Sequence, residues 1–213
     1  MRAIDELRPV EALYLLHTTG KERMDEENSL AATLVYLANE GYIEPIKSKF
    51  FQDIDLGLTD KGRSERSSLR PYEVDSLEAI ASEDAEDLLD AVDGFDFRNY
   101  MTQRGFFRTE QRQRGIWIFK WNHTNYFPSE KYKQAIVELD GLKGQIASAI
   151  TQKSQDKFLM NMSYAFPSTG LSNGFLEYAK EIADAAYATQ AAINAAVIAA
   201  VVASTSSTTG TSN

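Results

Sequence analysis

"YLANEGYIEP", Tyr36 to Pro45, carries the transition that decides the fold. An apolar helical pattern ends at Gly41, a residue suited to the left-handed conformation that closes a helix, and strand-forming residues follow. Upstream, "SLAATLVYLANEG" places Leu30, Leu34 and Leu37 at helical spacing behind a candidate cap, Ser29. Further back, Pro9 opens a first helix with Val10, Leu13, Tyr14 and His17 on one face. Downstream, "YIEPI" begins a strand and a second follows around Gln52–Leu58. Helix, helix ending in glycine, strand, turn, strand is the winged-helix order.

The pattern occurs twice. "LRPVE" at Leu7–Glu11 returns as "LRPYE" at Leu69–Glu73, and "YLANEGYI" at Tyr36–Ile43 has a counterpart in "YMTQRGFF" at Tyr100–Phe107. The offsets are 62 and 64 residues, in the same order, which predicts two tandem units. In each, a proline at the first helical position loses no hydrogen bond, and Glu11 or Glu73 in the first turn complements the helix dipole. The second unit has the longer hairpin, with "GFFRTE" and "GIWIFKW" flanking a turn at "QRQR". Strand alternation then sets Ile116, Ile118 and Lys120 against Trp117, Phe119 and Trp121 on the other face.

After "NHTNYFP", read as a loop that contains His123, the pattern turns helical again. Ser129 caps a helix with Ile136, Leu139, Leu142, Ile146 and Ile150 on one side, and "QDKFLMNMSYAF" continues helically. Pro167 and Gly170 in "FPSTG" break it, and a long Ala-rich helix follows. The expected fold is α+β and mostly helical. Two tandem winged-helix-like units, residues 1–66 and 67–127, precede a C-terminal helical region, 128–203, and a polar tail, 204–213.

The chain has 213 residues, 43% of them hydrophobic and 25% charged, enough apolar content for a packed core. Its net charge of −9 opposes nucleic acid and anionic membrane over the whole surface. With no cysteine, disulfides, thiolate metal sites and thiol nucleophiles are excluded. Met1 to Leu7 is charged and lacks the apolar stretch of a signal peptide. Ala185–Ser204 is long enough to span a membrane, but alanine dominates it and Thr189, Gln190 and Asn194 interrupt it, so it reads as a helix packed on the domain or a loose tail.

No ordered catalytic signature, phosphate-cradling loop or dinucleotide fingerprint is present. "DIDLG" at Asp53–Gly57 lacks the remainder of a calcium loop and reads as strand. His17 lies on an apolar helical stripe, which predicts a packed core or interface histidine, and neither it nor His123 has partners at metal-ligand spacing. The chain is therefore expected to be no enzyme and to carry no cofactor. Seven carboxylates between Glu83 and Asp96, interleaved with Leu88, Leu89, Val92 and Phe95, predict an acidic amphipathic helix. Between Arg98 and Lys120, six cations oppose one carboxylate, Glu110. That stretch gives Arg104, Arg108, Arg112 and Arg114 as candidate nucleic-acid contacts. Trp117, Phe119 and Trp121 are the candidate protein contacts, because large aromatics dominate interface energy. The first-unit helix has no Arg or Lys with which to read bases.

The ordered motifs "LRPVEALYLL", "SLAATLVYLANEGYI", "LTDKG", "LRPYE", "QRGFFR", "ELDGLKGQI" and "DKFLMNMSYAFPSTGL" resemble a family of predicted membrane proteins, domain of unknown function 2207. The resemblance covers about Leu7 to Asp184. It implies the cytoplasmic region of a membrane-anchored prokaryotic protein, whose anchoring segments lie outside this chain. Its Ser/Thr-rich tail and "YAFPSTG" depart from the family's pattern. The family brings location and architecture but no chemistry. The two functional expectations are a module that binds another protein or a second copy of itself, and a regulator that touches DNA through the basic wing.

Overall fold

The computed structural model describes residues 2–172 apart from 48–53, 83–84, 117–118, 153 and 155. The fold is α+β and mostly helical, with two antiparallel two-stranded sheets. A 3-10 turn, Ala3–Glu6, leads into α1 (Pro9–Thr18) and α2 (Glu26–Asn39). A hairpin of β1 (Ile43–Lys47) and β2 (Ile54–Leu58) and a short α3 (Asp60–Ser64) complete the first stretch. The second comprises α4 (Pro71–Ser82), α5 (Ala85–Asp93), α6 (Phe97–Gln103), β3 (Phe107–Ile116) and β4 (Phe119–Pro128). Then come α7 (Glu130–Thr151) and α8 (Lys157–Ser163).

The same backbone contacts recur at corresponding places in the two stretches. Gly41 and Gly105 adopt φ of 76° and 82°. After each, a backbone N–H reaches back over the helix end, from Tyr42 to the Leu37 carbonyl and from Phe106 to the Met101 carbonyl. The far end of each hairpin returns to this spot: the Thr59 N–H donates to the Tyr42 carbonyl, and the Ser129 N–H to the Phe106 carbonyl. Thr59 and Ser129 then cap the next helices, accepting from the N–H of Gly62 and Tyr132. Lys61 and Lys131, two residues on, stretch over the rings of Tyr42 and Phe106 and donate to the carbonyls of Glu40 and Arg104.

Ser129 caps as its sequence predicts, but the cap of α2 is Asp25 rather than Ser29. The Asp25 carboxylate accepts from the Asn28 N–H, and Ser29, inside the helix, donates its hydroxyl back to the Asp25 carbonyl. The helix therefore begins within the polar run "GKERMDEEN". The acidic run forms α5 and stops at Asp93, and Asp96 caps the separate helix α6.

The long hairpin is framed differently from its sequence reading. β3 runs through "QRQR" and β4 through "NHTNYF", so neither the expected turn nor the expected loop interrupts them. Ile116 pairs with Phe119, and the strand thought to hold both is two strands. The root explains the shift. Phe106 and Ser129 are bonded together, so the chain between them folds back midway whatever the propensity of its polar residues.

One core runs through both stretches and the C-terminal helices. It includes Leu13, Leu16, Leu30, Leu34 and Leu37 from the first, Tyr72, Leu77, Met101 and Phe106 from the second, and Leu139, Leu142, Ile146 and Phe166 beyond. "FPSTG" makes a 3-10 turn, Pro167–Thr169, held by the Ser168 N–H donating to the buried Glu22 carboxylate. Among the described residues no helix is long and apolar enough to cross a membrane. The Ala-rich stretch Ala185–Ser204 and the polar tail lie outside the described residues.

Candidate interaction surface

The two "LRPxE" motifs meet face to face. In each, the glutamate at the third helical position turns back to accept from an arginine backbone N–H: Arg8 to Glu11 at 2.9 Å, Arg70 to Glu73 at 2.7 Å. The arginine side chains then cross over. Arg8 Nε lies 3.2 Å from Glu73, and Arg70 Nε lies 3.2 Å from Glu11. Neither Nε–H points well enough at its oxygen for a hydrogen bond, so these contacts are ionic. The terminal nitrogens cross likewise, Arg8 donating to the Ser68 carbonyl and Arg70 to the Glu6 carbonyl. Ser68 stands 62 residues after Glu6, the offset of the motifs themselves. Such reciprocity, in which each partner presents the same patch to the other, is the mark of a two-fold interface.

Both glutamates are buried, at 0% and 1% exposure. Glu11 is well supplied, taking the Tyr72 hydroxyl at 3.2 Å and a short contact from the Arg104 guanidinium. Glu73 Oε1 has no hydrogen-bond donor. Burial, with the neighbouring Glu11 charge adding to it, raises the Glu73 pKa to about 7 against the pull of Arg70 and Arg8. Glu6, at the rim, is held low by its hydrogen bond from Lys131. This cluster consumes Arg104. Its side chain is only 15% exposed and is spent on Glu11 and the Glu6 carbonyl, so it is withdrawn from the nucleic-acid-facing set in which its sequence position placed it.

The remaining candidates lie on the β3–β4 ribbon. Pairing joins Arg108 to Phe127, Arg112 to His123, Arg114 to Trp121 and Ile116 to Phe119. Cross-strand partners share a face and faces alternate along a strand. Among the described side chains, Arg108 and Phe127 therefore share one side of the ribbon with Glu110 and Asn125. The side chains of Arg112, Arg114, Phe119 and Trp121, and all of Trp117, lie outside the described residues. At the root Arg108 is exposed, and so are Tyr126 at 37% and Phe127 at 45%. The opposite side of the root is anchored: Phe107 packs on Tyr14 and Tyr132.

Beside the root, a hollow of about 300 Å³ is lined by residues that include Tyr14, His17, Asp93, Asp96, Phe97 and Arg98. The Arg98 guanidinium stacks over the Tyr126 ring and bonds the Tyr14 hydroxyl, whose pKa burial nevertheless raises. His17 is exposed here and not a core residue. α1 ends at Thr18 and the chain reverses at Gly20, so the last position of the apolar stripe overhangs the helix end. Its Nδ1 takes a long 3.4 Å contact from the Met24 N–H. Among the described residues no three His, Asp or Glu side chains converge as a metal site.

No family model, curated protein or solved structure matches this chain. Sequence reasoning missed Glu11 and Glu73 as buried groups and Tyr126, Phe127 and Arg98 as an exposed set. The signal for the first was present, since a motif repeated with both its charges intact invites the question of whether the copies touch. For the second it was hidden by the misplaced turn.

Proposed function

We propose that the chain is a non-catalytic protein-interaction module, the cytoplasmic part of a membrane-anchored prokaryotic protein. The helix, helix and hairpin order, and the recurrence of the same capping contacts, support reading each stretch as a winged-helix-like unit. The resemblance in the sequence motifs supplies the location. The observation that carries the function is the exposed ring of Phe127 beside its exposed cross-strand partner Arg108 at the root of the ribbon. Arg and large aromatics are the residues that dominate binding energy at protein interfaces. The buried ionic cluster, by contrast, is built from groups of both stretches and joins them rather than facing a ligand.

A photocrosslinking residue at position 127, with Asp75 substituted as a control, tests this in cells of the native host. One defined adduct from position 127 and none from 75 is expected. Diffuse products of equal yield from both positions, or none, would sink the reading. A DNA-binding regulator is the second reading, favoured by Arg108, Arg112 and Arg114 at alternate positions of β3. It requires duplex binding at low salt that disappears when those three are changed to Ala.

A further inference from the structure

Two glycines in the middle of α7 have no cause among the described residues. Gly141 and Gly144 lie inside the helix, and a Cβ built on either would meet nothing within 4 Å. Left-handed φ or a close backbone oxygen accounts for the other six glycines whose surroundings are described. Glycine weakens a helix relative to alanine, and what it permits is the close approach of another backbone.

The neighbours of these glycines form a seam. Val137, Gly141, Gly144, Ser148 and Gln152 are all exposed and follow one another at intervals of four, three, four and four residues, the spacing by which one helix meets another. Val137 is 71% exposed, and from Gly144 to its end at Thr151 α7 has no charged residue, although a solvated helix face ordinarily carries charge. Beside the glycines, a hollow of about 460 Å³ is lined by residues that include Gln145, Ser148, Gln152 and Leu159. The core side of α7, with Leu139, Leu142 and Ile146, is already covered, so the seam is a second packing face.

The size of this face selects its occupant. It runs about 23 Å at ~1.5 Å rise per residue and is about 10 Å wide, which offers roughly 200–300 Å². A stable pair of separate molecules needs about 800 Å² from each. A tethered segment needs far less, because its linkage holds it at an effective concentration on the order of millimolar. The chain supplies such a segment outside the described residues. Ala185–Ser204 has no charged residue, and Ala188, Ala192, Ala195, Ala199 and Ala203 repeat the seam's intervals of four, three, four and four. The described chain also leads to α7: Lys143 lies over the Phe166 ring and shares the Glu22 carboxylate with the Ser168 N–H. Residues 173–184 can then reach up to about 40 Å further. We propose that the Ala-rich stretch Ala185–Ser204 packs along the Val137–Gln152 seam of α7, small residue against small residue. This goes beyond the interaction-module reading and does not depend on it.

Disulfide trapping tests this cleanly, because the chain has no cysteine of its own. In the full chain, Ser148→Cys is combined with one cysteine at each position from 188 to 203 in turn, and the internal disulfide is read by mass after digestion. Yield should peak at one or two adjacent alanines of the repeated spacing and fall by about tenfold or more half a turn away. Gly144→Leu raises helix propensity, and its Cβ meets nothing among the described residues. It should nevertheless cut the peak yield by about tenfold or more, at unchanged circular dichroism, because it holds the two backbones apart. Equal yield at every position, no internal disulfide at any, or a peak indifferent to Gly144→Leu would overturn the proposal. Disulfide-linked dimers from Ser148→Cys alone, formed in higher yield than any internal pair, would overturn it too and give the face to a second copy.

Discussion

Glu11 and Glu73 occupy the same position of the same motif, yet the protein treats them differently. Each caps its own helix and faces the other motif's arginine. Only Glu11 is surrounded by further donors, Tyr72 and Arg104. The residues at the offset positions on the other side are Val10 and Glu40, which supply no donor to Glu73; Glu40 pairs instead with Lys157. The repeated motif thus builds a near-symmetric joint, and two differences, one at its variable position and one outside it, decide which carboxylate gains further donors. With one oxygen lacking a donor, burial raises the Glu73 carboxyl toward neutrality.

The difference is best broken at Glu11. Glu11→Ala leaves Arg70 and Arg104 facing each other without their counter-charge, and should cost about 3–5 kcal/mol in urea denaturation. A loss under about 1 kcal/mol would show that the joint is not held by this ion. Gly62→Ala tests the first unit's tighter helix: a Cβ there would lie within 2.1 Å of the Tyr42 carbonyl oxygen. The corresponding place in the second unit holds Tyr132, whose N–H donates to Ser129 as that of Gly62 does to Thr59. The expected loss is about 3 kcal/mol, read as a lowered Tm.

Glu73 sharpens the comparison through pH. Its native pKa, about 7, lies above the ordinary 4.5, so the folded protein holds this proton more tightly than the unfolded chain does. Its stabilising contribution is complete below pH 4.5, falls as pH rises to 7, and is gone above that. The change is on the order of 3 kcal/mol. Glu73→Gln should flatten the stability profile across that window and match or exceed the parent above pH 7. An unchanged slope would show that Glu73 is ionised throughout. The smallest effect should be the symmetric one. Gly41→Ala and Gly105→Ala force a side chain into positive φ with nothing near the new methyl group, and each should cost about 1 kcal/mol. Unequal losses would mean that the two helix ends differ more than their shared hydrogen bonds indicate.

Much of the architecture was legible because its causes are local. Prolines at helix starts, glycines at helix ends, the Ser129 cap and the apolar spacing of Leu30, Leu34, Leu37, Leu139, Leu142 and Ile146 are all read within a few residues of one another. The surface was less legible. His17 belongs to an apolar stripe by spacing, but a helix end has fewer neighbours than its middle. The turn of the long hairpin was misread as "QRQR" because composition suggested it, while the register is fixed at the root by Phe106 and Ser129. Arg104 looked like its basic neighbours and differs only in what lies across from it.

The sequence by itself determined the starts of α1 and α7 at Pro9 and Ser129, the ends of α2 and α6 before Gly41 and Gly105, that the pattern occurs twice, and that cysteine chemistry is excluded, since each follows from residue type and short-range spacing. Tertiary structure alone decided that the two motifs exchange their arginines and that one of two like glutamates goes unsatisfied. It alone put Arg108 across from Phe127 at the root of the ribbon. These depend on groups dozens of residues apart arriving at hydrogen-bond distance, and such contacts are set by how the helices pack.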